Sequence, residues 1–92
     1  MSKVVRIRVE SVEGFCAAKY KVGDEFYLDK FLIQSKIPIC IHALSALQNF
    51  IYALSHGVKV EDLGVKEVFV SCPDPGEPRG KGRVIFKLEV IE

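Results

Sequence analysis

Cysteine is the residue type in this sequence best suited to chemistry, and it occurs three times, as Cys16, Cys40 and Cys72. A deprotonated thiol is both a nucleophile and a ligand for soft metal ions. Each cysteine falls where one expected element gives way to the next. Cys16 follows the first strand, Cys40 stands at the start of a helix, and Cys72 ends a later strand. Elements that pack face to face bring their ends together, so thiols in these positions can share one site. The positive pole of a helix also favours the thiolate form of a cysteine at its N-terminus. The expectation is a site built from Cys16, Cys40 and Cys72 that holds a metal ion or an iron–sulfur centre, or acts as a redox thiol group. Three protein ligands would leave a position for water or for a group from a second chain. The plainer reading is structural, because cysteine is a small residue that is commonly buried and inert. The spacings of 24 and 32 residues fit no zinc-finger or ferredoxin pattern, and there is no Cys-x-x-Cys pair.

His42 could complete such a site. It follows Cys40 by two residues, and two helical residues at that spacing point about 200° apart. The two side chains meet only if the helix begins after Cys40. His56 shares a helix face with His42 but lies about 21 Å along the axis at 1.5 Å per residue, too far to share an ion. The plainer assignments are an exposed polar position for His42 and a C-terminal helix cation for His56. Asp24 and Glu25 are adjacent carboxylates, yet Gly23-Asp24 reads as a turn whose aspartate bonds nearby amides. Gly80-Lys81-Gly82, flanked by Arg79 and Arg83, could hold an anion but lacks the strand-to-helix setting of a phosphate loop. No catalytic triad, nucleophile elbow or HExxH motif is present.

The elements that must position these residues follow from hydrophobic spacing. Residues 3–12 alternate, with Val5, Ile7 and Val9 on one face and Arg6, Arg8 and Glu10 on the other, which predicts a half-buried strand. Glu25 to Leu28 predicts a second, short strand, and residues 30–36 carry no clear pattern. Pro38 suits the first turn of a helix that runs from residue 39 or 40 to 56. Ile41, Leu44, Leu47, Ile51 and Leu54 form its apolar stripe, widened by Ala43, Phe50 and Ala53. Gly57 sits where a left-handed C-cap belongs. Val60 to Gly64 reads as one irregular turn. Lys66 to Cys72 and Arg83 to Ile91 predict two closing strands, joined by a connection too long for a tight hairpin and stiffened by Pro73, Pro75 and Pro78. The expected fold is α+β, a two-layer β-β-α-β-β arrangement of about four antiparallel strands on one amphipathic helix, with the first and last strands as neighbours.

Composition bounds the function classes. Ninety-two residues suffice for a single domain spanning 1–92. With 49% hydrophobic residues and a mean hydropathy of +0.20, the chain has enough apolar surface to fold. Three cysteines cannot all pair within one chain, which argues against a secreted disulfide scaffold and for a cytoplasmic protein. A formal net charge of +1 leaves no footprint for nucleic acid. The greasiest stretch, Ile37 to Leu54, is broken by Pro38, His42, Ser45, Gln48 and Asn49, so no membrane span is expected. No targeting segment is expected at Met1-Ser2-Lys3. Few amides and many Lys and Glu suggest a thermophilic source. The apolar surplus, including Ile85 and Ile91 on a strand face that should be wet, suggests a homo-oligomer.

Several segments together resemble a family of small uncharacterised prokaryotic proteins. They are Cys16, then Lys21-Val22-Gly23-Asp24-Glu25-Phe26, then Cys40 with Ala43-Leu44, Ala46-Leu47 and Ala53-Leu54, then Cys72-Pro73-Asp74-Pro75. The resemblance covers nearly the whole chain and implies that the three cysteines belong together. Members of that family often carry His where Tyr20 and Ser45 stand, and Pro where Ile41 follows the helix cysteine. The resemblance implies no reaction. An interaction module with structurally buried cysteines, and an enzyme using Asp24, Glu25 or His42, stand beside the thiol-site expectation.

Overall fold

The computed structural model describes residues 3–14, 16, 18–74 and 78–92. Its strands are β1 (Val5–Gly14), β2 (Glu25–Asp29), β3 (Leu32–Gln34), β4 (Val68–Ser71) and β5 (Gly82–Val90), and its helix is α1 (Ile41–Ser55). The strands form one antiparallel sheet in the order β3-β2-β1-β5-β4. The fold is α+β, with the first and last strands adjacent, and the sheet has five strands rather than about four.

The additional strand is β3. It returns from β2 through Lys30-Phe31, because Asp29 pairs with Leu32. Both turn residues have positive φ, 52° at Lys30 and 66° at Phe31. Two-residue hairpins of this kind are usually built from Asn-Gly, so Lys-Phe carries no signal for one. The Phe31 ring stacks on His56 at 4.7 Å between centroids, which holds the hairpin against the C-terminal end of α1.

Alternation places Val5, Ile7, Val9, Phe26, Leu28, Val68, Val70, Val84, Phe86 and Leu88 on the face that α1 covers. A β-bulge interrupts β1: Val9 pairs with Phe86 and Ser11 with Ile85, so Glu10 is the extra residue. Beyond it Val12, not Ser11, packs against the core. The helix buries Ala43, Leu47, Ile51 and Leu54. Ile41, expected in that stripe, is 70% exposed, because it stands about 200° around the helix from Ala43. Leu44 is half-buried and Phe50 is exposed. The helix ends as expected. Gly57 takes φ 97°, its N–H reaches Leu54 O and that of Val58 reaches Ala53 O, a Schellman closure.

The opposite sheet face carries ion pairs. Arg6 meets its cross-strand partner Glu89 at 2.8 Å, and Lys87 meets Glu67 at 2.9 Å. Ile85 on this side is half-buried. Among the described residues, no helix is long and apolar enough to cross a membrane. The connection between β4 and β5 includes Pro75, whose expected stiffening lies outside the described residues.

Candidate thiol site

At one end of the two-layer fold, the N-terminus of α1 approaches the β1–β2 and β4–β5 connections. A cavity of about 480 Å³ opens between them, and Cys16, Cys40 and Cys72 all line it. All three are free thiols and all are half-buried. Tyr20, Val84 and Phe86 form apolar walls, and His42, Asp74 and Lys81 stand among the polar lining groups.

Cys40 is the N-cap of α1, with extended backbone at φ −69° and ψ 131°. Because the helix begins at Ile41, after the start expected at residue 39 or 40, Cys40 and His42 do not diverge as two helical residues would. The Cys40 Sγ lies 3.9 Å from His42 Nδ1. No side chain caps the helix, and its first turn contains no acidic residue. The positive pole of a fifteen-residue helix therefore faces the cavity with no counter-charge from its own first turn.

Tyr20 ties this end together. Its ring packs edge-on against Phe86 at 5.7 Å, and its hydroxyl accepts the Cys40 N–H at 2.8 Å. The ring reaches inward from a turn in which the Lys19 N–H donates to Cys16 O at 2.9 Å, with Lys19 at φ 59°. Burial pushes Tyr20 above the ordinary tyrosine range, the hydrogen bond from Cys40 opposes this, and negative charge on Cys40 or Cys16 would add to the rise. The Tyr20 hydroxyl thus lies within electrostatic reach of both thiols.

Cys72 is held differently. Its N–H donates to Val84 O at 3.0 Å, and its sulfur accepts the Val84 N–H at 3.3 Å. The neighbouring Asp74 carboxylate accepts the N–H groups of Lys81, at 3.1 Å, and Gly82, at 3.3 Å. This clamp takes up the amides that an anion in the Gly80-Lys81-Gly82 segment would need. Gly14, at φ 72°, pairs with Gly82, and a Cβ there would stand 2.5 Å from Lys81 O. Glycine at that position is what lets the cavity rim close onto β1.

The three cysteines and His42 therefore line one volume. Among the described residues, no three His, Cys, Asp or Glu side chains stand close enough together to hold a metal ion. His56 lies at the far end of α1, stacked between Phe31 and Tyr52, with Nδ1 2.8 Å from Tyr52 O. Asp24 accepts the Lys21 N–H at 2.9 Å, the turn role its sequence suggests, and Glu25 accepts the Tyr27 hydroxyl at 3.0 Å. Neither carboxylate lines the cavity. Sequence reasoning missed Tyr20 and Asp74, whose roles come from contacts 20 and seven or eight residues away. No family model, curated protein or solved structure matches the chain.

Proposed function

We propose that this protein is a small thiol-site domain in which two of the three cysteines Cys16, Cys40 and Cys72 work as a redox pair on a partner held in the cavity that all three line. The observation that carries this reading is that every cysteine of the chain, from three separate segments, lines the same cavity. Half-burial supports it, since a reactive thiol must be both sheltered and reachable. The cavity volume, about 480 Å³, falls in the range typical of small-molecule sites. Redox-thiol chemistry is favoured over a metal or iron–sulfur centre because it needs two sulfurs in reach of each other, not three or four around one point.

Anaerobic purification followed by thiol titration, metal analysis and a visible spectrum tests the proposal. The expected result is three titratable thiols, and one intramolecular disulfide after mild oxidation that a dithiol reverses. Stoichiometric metal with thiolate-to-metal absorption would transfer the site to a metal or iron–sulfur role. Inert thiols with no metal would leave three structural cysteines and overturn the proposal.

A second reading is a homo-oligomeric interaction module. What favours it is the exposed run of Phe31 (54%), Leu32 (63%) and Ile33 (40%) at a sheet edge. The two readings concern different surfaces and are compatible.

A further inference from the structure

The three thiols are not equivalent. Cys72 is fixed by its paired bonds to Val84, and its sulfur already accepts an N–H. Cys40 faces the open cavity from the N-cap of a long helix whose first turn carries no acidic residue, and its sulfur touches the His42 imidazole at 3.9 Å. Cys16 belongs to the turn that delivers Tyr20, and Tyr20 is bonded to the Cys40 backbone, so Cys16 is tethered on the Cys40 side of the cavity.

We propose that Cys40 is the attacking thiolate, that Cys16 is the resolving thiol, and that the substrate is a small disulfide with an apolar body and an acidic group. This rests on the cavity being a thiol site. Ala18, Tyr20 and Pro73 give the apolar body a wall to lie against, and the helix pole and Lys81 favour a negative group on it, away from the Asp74 carboxylate that the Lys81 and Gly82 amides hold. In the first step the Cys40 proton passes to His42 Nδ1. The thiolate attacks one substrate sulfur, a Cys40–substrate disulfide forms, the substrate S–S bond breaks, and the first thiol leaves with the proton from His42. In the second step Cys16 attacks the Cys40 sulfur, forms the Cys16–Cys40 disulfide and releases the second thiol, which carries away the Cys16 proton. Two protein thiols are oxidised and one substrate disulfide is reduced to two thiols. An external dithiol returns the protein to its starting state.

The test uses the full chain, reduced, with limiting dithiobis(nitrobenzoic acid), an aromatic disulfide carrying carboxylates, as the probe. Wild type should release two equivalents of nitrothiobenzoate rapidly, and non-reducing peptide mapping should find Cys16 joined to Cys40. Cys40→Ser should slow the fast phase by at least about tenfold, near 1.4 kcal/mol of barrier. Cys16→Ser should keep the fast phase, release one equivalent and retain the mixed disulfide on Cys40. Circular dichroism on each variant confirms that it is folded. A fast phase that survives in Cys40→Ser, or a disulfide that maps to Cys72, overturns the assignment while leaving the thiol site standing. If no thiol in the wild type reacts faster than free cysteine, the thiol-site proposal fails together with this one.

Discussion

Cys40 and His42 meet because of the conformation of one residue. With Cys40 inside the helix the two side chains would diverge; as an extended N-cap it turns its sulfur toward the imidazole. The cysteines were legible in the sequence as residues at element ends. Tyr20 was not, because its role depends on an amide 20 residues away and leaves no local pattern. Tyr20→Phe removes the acceptor of the Cys40 N–H and should cost about 1–3 kcal/mol, read from urea unfolding at neutral pH. The same variant has a signature in alkali. Burial holds the folded tyrosine above its ordinary value of about 10, so the unfolded chain loses that proton first. The contribution is complete below about pH 10 and is lost as the pH rises toward the folded value. Phenylalanine has no such loss, so the stability gap between wild type and Tyr20→Phe should narrow above about pH 10. A constant gap would mean that the hydroxyl is not held in this way.

At the scale of elements, alternation located β1, β2, β4 and β5, and the three-and-four spacing located α1, because burial on one face imposes those periods. The bulge at Glu10 had no such signature, since it is set by what lies opposite in space, and Ile41 stands about 200° from Ala43, so burial of Ala43 leaves it outside. β3 escaped for a different reason. Its turn puts Lys30 and Phe31 in left-handed backbone, which sequence rules reserve for Asn and Gly, and the Phe31 ring stacks on His56. Lys30→Asn leaves that stack intact and supplies a residue that tolerates positive φ. It should raise stability by about 0.5–1 kcal/mol, part of the roughly 1–2 kcal/mol that this backbone costs an ordinary residue. Chemical denaturation of the pair of proteins checks it, and a loss of stability would show that Lys30 contributes something its backbone does not reveal.

For the whole molecule, one helix can cover only one face of five strands. The other face is laced by Arg6–Glu89, Lys87–Glu67 and Arg8–Glu10, and can remain in water. The apolar surplus expected on the last strand is only partly there: Ile85 is half-buried, while Val90 at the end of β5 and Ile91 just beyond it are exposed, at 39% and 43%. The longer exposed run is Phe31-Leu32-Ile33, continued across His56 to Tyr52, and it lies on an edge strand with an open side. A second copy pairing along β3 would satisfy that edge and cover the run, and a net charge of +1 offers little repulsion between copies. Stable dimers bury roughly 1,200–2,000 Å² in total, so Tyr52 must join β3 at the contact. Sedimentation equilibrium should then show a mass rising toward the dimer with concentration. Leu32→Lys should shift that curve toward the monomer while changing monomer stability by less than about 0.5 kcal/mol, because Leu32 is 63% exposed. A wild-type chain that remains monomeric at the highest attainable concentration would leave the edge without a second copy, and the self-association reading would fall.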